Sequence, residues 1–172
     1  SAHDAAMAIQ QTSDGGYVVA GYSSSGADGD KSEASRGGQD SLDYWIVKLD
    51  SSGSKQWDKR FGGSANDYAS AIQQTSDGGY VVAGTSGSGA EGDKTEASRG
   101  WWADYWIVKV DGNGNKQWDK CFGGSRYDYA SAIQQTSDGG YVVAGTSNSS
   151  DGDKSQAPIR EWFSDYWIVK IY

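Results

Sequence analysis

One cysteine, one histidine, one proline and one methionine are all that these 172 residues hold of four chemically telling types. A lone Cys121 builds neither an intrachain disulfide nor a thiolate metal cluster, so cysteine usage leaves the redox compartment undecided. His3, close to the amino end, removes most histidine-based catalysis and metal chemistry. Basic side chains are outnumbered 15 to 23, giving a formal charge of −8 that repels phosphate backbones and anionic membrane surfaces and argues against a nucleic-acid partner. No apolar run approaches the ~20 residues of a membrane-crossing helix, and SAHDAAMAIQ has no basic start followed by a hydrophobic run, so membrane insertion is not expected. There is no Ser/His/Asp set, no Cys/His pair and no phosphate-cradling glycine loop after a strand. An enzyme is not expected on these residues.

What the chain holds in quantity is glycine, at 25 residues, together with eight tryptophans and eleven tyrosines. With proline nearly absent, that composition belongs to short strands, tight turns and large aromatic packing elements, an all-β protein. A fourteen-residue block, AIQQTSDGGYVVAG, recurs letter for letter at 8–21, 71–84 and 132–145, and DYWIVK recurs at Asp43, Asp104 and Asp165. The first block starts at intervals of 63 and 61 residues and the second at 61 and 61. So regular a period marks one supersecondary unit copied in series, with neighbouring copies burying surface against each other. The expected organisation is a single domain with repeats at 1–63, 64–124 and 125–172.

Within one period four strands are predicted. DYASAIQQT (67–75) and GYVVAGT (79–85) flank Ser76-Asp77-Gly78, an Asp-Gly turn that supplies the positive φ a tight hairpin demands. DYWIVKV (104–110) is apolar on both faces, Tyr105 and Ile107 on one and Trp106 and Val108 on the other, so it must lie between layers. DGNGN (111–115) reads as a hairpin turn, and KQWDKCF (116–122) alternates Trp118 with charged residues, as an outer strand with one wet face does. Four antiparallel strands covered on both faces describe a blade of a β-propeller; a sandwich would alternate more cleanly between inside and outside. The first three strands are present three times but KQWDK only at Lys55 and Lys116, so eleven strands are expected and the last blade is one short.

The run GGSxxDYAxAIQQTSDGGYVVAG followed by DYWIVKxDxxGxKQW resembles the tandem β-propeller repeats of the delta-sixty type found in secreted and cell-surface bacterial proteins. The likeness covers nearly the whole chain. It implies the fold and an extracellular or surface-attached location, and it implies no activity, because propellers serve as enzymes, lectins and scaffolds alike. A propeller ring usually takes about 4 to 8 blades. Three copies leave three arrangements: two chains completing a six-bladed ring, a piece of a longer array, or some other three-fold closure. Of these a homodimer is the reading preferred here. SAHDAAMAIQ aligns with SANDYASAIQ at Ser64, so the first copy begins inside the repeat, as a trimmed segment would, with any signal peptide already removed.

Candidate chemistry is sparse. The hairpin turn around Asp14, Asp77 and Asp138 resembles the Asp box of sialidase-like propellers, where it is a structural turn, and these carboxylates are expected to bind their own turn amides. Each long connection opens with two carboxylates separated by glycine: Asp28 and Asp30, Glu91 and Asp93, Asp151 and Asp153. These are candidate oxygen ligands for calcium, and the alternative is a solvated loop whose adjacent lysine offsets the charge. The copies differ most just before DYWIVK, and variation confined to one loop of a copied unit is where a recognition face is expected. There Trp101, Trp102, Trp162 and Phe163 are candidates for stacking on sugar rings, with Arg99, Arg160, Asp93 and Asp153 for hydroxyls; the alternative is that these rings cover core or a subunit contact. Trp45, Trp106 and Trp167 are expected to pack. The leading expectation is a non-enzymatic module that binds a cell-surface glycan or polysaccharide, followed by a purely structural assembly unit, then by a glycosidase using paired carboxylates.

Overall fold

The computed structural model describes residues 2–38, 40–160 and 163–172, and among them there is no helix. The first copy forms β1 (Asp4–Gln11), β2 (Tyr17–Ser23), β3 (Asp43–Leu49) and β4 (Lys55–Phe61). The second forms β5 (Asp67–Gln74), β6 (Tyr80–Ser86), β7 (Asp104–Val110) and β8 (Lys116–Phe122). The third forms β9 (Asp128–Gln135), β10 (Tyr141–Ser147) and β11 (Asp165–Ile171). Each copy is a separate antiparallel sheet with strands in chain order, two of four strands and one of three. This is the predicted all-β architecture of β-propeller-like blades, eleven strands included.

Local chemistry explains why each copy folds the same way. Gly15, Gly78 and Gly139 take φ of +82°, +81° and +84° at the hairpin turns, a region closed to most side chains. The aspartate before each accepts the amide of the glycine after it, from Gly16, Gly79 and Gly140, at 3.0, 3.0 and 3.1 Å, and also the hydroxyl of Thr12, Thr75 or Thr136. The third strand then ties itself to that turn: the ammonium groups of Lys48, Lys109 and Lys170 lie 2.9, 2.9 and 2.7 Å from the same aspartates. The Thr75 hydroxyl first, and Lys109 second, hold the Asp77 carboxyl down at about 2. Sequence reasoning anticipated the turn and missed the lysine, which sits inside an otherwise apolar strand and finds its partner more than thirty residues away.

The sheets stack face to face, β5 lying against β1, β2 and β3, and β9 against β5, β6 and β7. The first strands thus follow one another along one edge of the stack, with the outer strands β4 and β8 at the far edge of their sheets. Two apolar cores fill the two seams. Tyr44, Ile46, Val18 and Ala20 of the first sheet meet Trp106, Val108, Val82 and Tyr80 of the second. Tyr105, Ile107, Val81 and Ala83 of the second meet Val143, Tyr141, Ile171 and, partly exposed, Trp167 of the third. β6 and β7 are buried along their whole length because a sheet covers each face, which is why their sequence shows no alternation.

Candidate functional site

The connection from β6 to β7 is held by a repeated polar scaffold. Lys94, buried, donates from Nζ to the Ser88 carbonyl and the Ser98 hydroxyl, and Ser98 Oγ in turn donates to the Ser86 carbonyl at 2.9 Å. The Thr95 amide is fixed by Asp119 and the Arg99 amide by Asp104. The first copy repeats this with Lys31, Ser25, Ser35 and Ser23. In the second copy the loop then delivers Trp101, 99% exposed, and Trp102, 47% exposed, to the surface.

These two rings stand in a cleft of about 410 Å³ whose other walls come from the second and third sheets: Tyr68, Thr85 and Asn66 on one side, Tyr127 and Tyr129 on the other. Trp102 packs on Tyr127 with ring centroids 4.5 Å apart, and Tyr127 stacks on Tyr129 at 5.4 Å with planes 12° apart. The cleft therefore has an aromatic floor already assembled, with an amide and a hydroxyl at its rim and, among the described residues, no carboxylate or histidine in its lining. Tyr68, Tyr127 and Tyr129 were not anticipated from sequence. A signal existed for one of them: the third copy reads SRYDYA where the second reads SANDYA, so Tyr127 is specific to its copy.

The remaining candidates are placed elsewhere. Phe163 is exposed and its amide donates to the Arg160 carbonyl at 3.2 Å, but neither residue reaches this cleft, and Trp162 lies outside the described residues. Arg99 binds Asp153 of the next copy, as Arg36 binds Asp93 at 3.0 Å. Asp93 also takes Arg60 at 2.7 Å and the Gly62 amide, and Asp153 takes the Gly123 amide. The Ser64 hydroxyl and amide hold the Glu91 carboxyl below its ordinary value, and the Ser125 amide does the same for Asp151. Thus Glu91, Asp93, Asp151 and Asp153 join one copy to the next. Asp28 and Asp30 border a shallow cleft of about 290 Å³ beside Trp45. Among the described residues no three acidic, histidine or cysteine side chains converge on a point where a metal ion would sit.

Four buried acids in the seams have perturbed titration. Loss of hydration pushes the Asp43 carboxyl up to about 6 and that of Asp104 up to about 7, and Asp67 and Asp128 are raised for the same reason. All four are fully enclosed, out of reach of any substrate. No family model matches the chain, and no curated protein matches its sequence.

Proposed function

We propose that this chain is a non-enzymatic recognition module, secreted or surface-attached in a bacterium, that binds a cell-surface glycan or polysaccharide in the cleft of Trp101, Trp102, Tyr68, Tyr127 and Tyr129. The observation that supports it is that these five aromatic rings line one open cleft without belonging to either core. Exposing a tryptophan in full forfeits the roughly 1.5–3 kcal/mol that burial of a large apolar side chain supplies, so such a ring at the mouth of a cleft suits contact with a ligand. The C–H faces of a pyranose match flat aromatic surfaces, and Asn66 and Thr85 offer hydrogen-bonding groups for hydroxyls. Binding is favoured over hydrolysis because a glycosidase needs two carboxylates flanking the bond and the described lining has none. The extracellular location follows from the resemblance of the repeated motifs.

A glycan array is the direct test. Trp102→Ala is expected to weaken binding of any selected glycan by about tenfold or more, and Trp101→Ala likewise, as hot-spot aromatics do. Because Trp101 touches so little of the protein, its removal should change folding stability by no more than about 0.5 kcal/mol. An array on which neither variant alters binding would remove the cleft from consideration.

A further inference from the structure

The three copies of one tyrosine have three different surroundings. Tyr44 of β3 donates its hydroxyl to the Trp106 carbonyl at 2.9 Å, and Tyr105 of β7 donates to the Trp167 carbonyl at 3.1 Å. Each hydroxyl enters a socket made by a glycine of the next sheet. A Cβ on Gly84 would stand 2.6 Å from Tyr44 Oη, and one on Gly145 would stand 2.7 Å from Tyr105 Oη. Tyr166 of β11, the third copy, has no sheet in front of it among the described residues: it is 82% exposed, whereas Tyr44 and Tyr105 are at 0%. At the other end of the stack the socket is present without its tyrosine. Gly21, Trp45 and Val47 line a cavity of about 130 Å³, and no described side chain approaches Gly21 as Tyr44 approaches Gly84.

The isoleucines agree. Ile46 and Ile107, on the same face as the tyrosines, are at 0% exposure, and their third copy Ile168 is at 57%; on the opposite face Ile72 is buried and its first copy Ile9 is at 67%. One end of the chain therefore presents the face that fills sockets, and the other end presents the face that has them. Both are copies of surfaces that already meet twice within the molecule.

We propose that two copies of this chain close head to tail into a six-bladed ring, with Tyr166 of each entering the Gly21–Trp45 socket of the other and donating its hydroxyl to the Trp45 carbonyl. A head-to-tail contact is heterologous, and such contacts give rings when the rotation closes and filaments when it does not; six blades lie within the range of closed propellers. The new seam is weaker than the internal ones because Ile159 stands five residues past Lys154 where Arg36 and Arg99 stand five past Lys31 and Lys94, so the arginine link to the next copy's aspartate is missing. The ring thus separates on dilution while each chain stays folded. This inference does not depend on the glycan reading.

Sedimentation equilibrium over a wide concentration range tests it. The expected mass is twice the 18.3 kDa chain at high concentration, falling toward one chain on dilution. Tyr166→Ala should weaken dimerisation about a hundredfold, roughly tenfold at each of two seams, without changing the circular dichroism of the chain. Ile168→Glu alone and Ile9→Glu alone should each be monomeric, since each spoils both seams of its own ring. Mixed one to one, they should pair, because one seam joins an intact filling face to an intact socket face. A single-chain mass at every concentration, mass growing without limit, or no pairing in the mixture would overturn the proposal.

Discussion

Replacing Trp106 by alanine is expected to lower the unfolding free energy by about 3 to 5 kcal/mol, the range for deleting a large buried aromatic side chain. Three contacts set it there. The indole lies in the core of the first seam with its ring centroid 4.8 Å from that of Tyr44, its N–H donates to Asp119 Oδ2 at 3.0 Å, and its exposure is nil. Truncation opens a cavity between two sheets and leaves the buried Asp119 carboxylate one donor short. The repeat supplies an internal control. Trp167 is half-buried against the second sheet, and Trp45 faces the open end of the stack. Urea unfolding of the three alanine variants at low protein concentration should therefore rank the losses Trp106, Trp167, Trp45. If two chains join as proposed, raising the concentration should make Trp45→Ala costlier, because the proposed ring would cover its indole. Equal losses at all three positions would mean that the sheets do not stack as described.

That ranking cannot be read from the sequence, in which the three tryptophans stand in identical hexapeptides, and the reason shows what was legible. Period-two patterning, Asp-Gly turns and the doubly apolar DYWIVK strand are local signals, so strand number, order and hairpin geometry followed from the residues alone. The strand ends agree within a residue, as at Asp104–Val110. What stayed hidden are contacts between copies. Arg36 reaches Asp93 and Arg99 reaches Asp153, 57 and 54 residues on, where no local pattern links a loop arginine to a loop acid. For the same reason the sequence offers Glu91, Asp93, Asp151 and Asp153 only as candidate cation ligands or ligand contacts and does not show their bonds to the neighbouring copy. Trp101 and Trp102 stand out in the sequence because they differ between copies, and both line the cleft. Tyr68 and Tyr129 escaped because tyrosine in a strand reads as packing, and only the meeting of two sheets turns them outward into one cleft.

Stability of this protein is expected to fall as pH rises from about 4 to about 7, and Asp104→Asn should remove much of that fall. The carboxyl of Asp104 is enclosed between the second and third sheets; its Oδ2 accepts the Arg99 amide at 2.7 Å, while Oδ1 lies unpartnered against Gly123. Burial raises its pKa from the ordinary 3.8 to about 7, helped by the Asp128 charge, while Lys94 and Arg99 pull the other way. A raised carboxyl binds its proton more tightly in the folded state, so its contribution is complete below pH 3.8 and is lost as pH climbs through 7. At about 1.4 kcal/mol per unit, the loss is of the order of 2 to 4 kcal/mol. Asp43 shows the same effect in smaller measure, up to about 6, and the copies explain why: Arg60 Nε lies 3.7 Å from its carboxylate, and Cys121 stands at the equivalent place beside Asp104. Asp77 works in the opposite sense. Held at about 2, it contributes stability above pH 3.8 that disappears in stronger acid. The wild-type curve should thus peak near pH 4 to 5 and decline on both sides. An asparagine side chain in place of the carboxyl keeps an acceptor for the Arg99 amide without a charge to bury, so D104N should flatten the upper limb and be the more stable protein at pH 8. Cys121→Arg should flatten it as well by giving Asp104 the neighbour that Asp43 has. Urea midpoints at half-unit pH intervals decide the matter, and a D104N curve parallel to wild type between pH 4 and 7 would show that this carboxyl is ionised in the folded chain throughout.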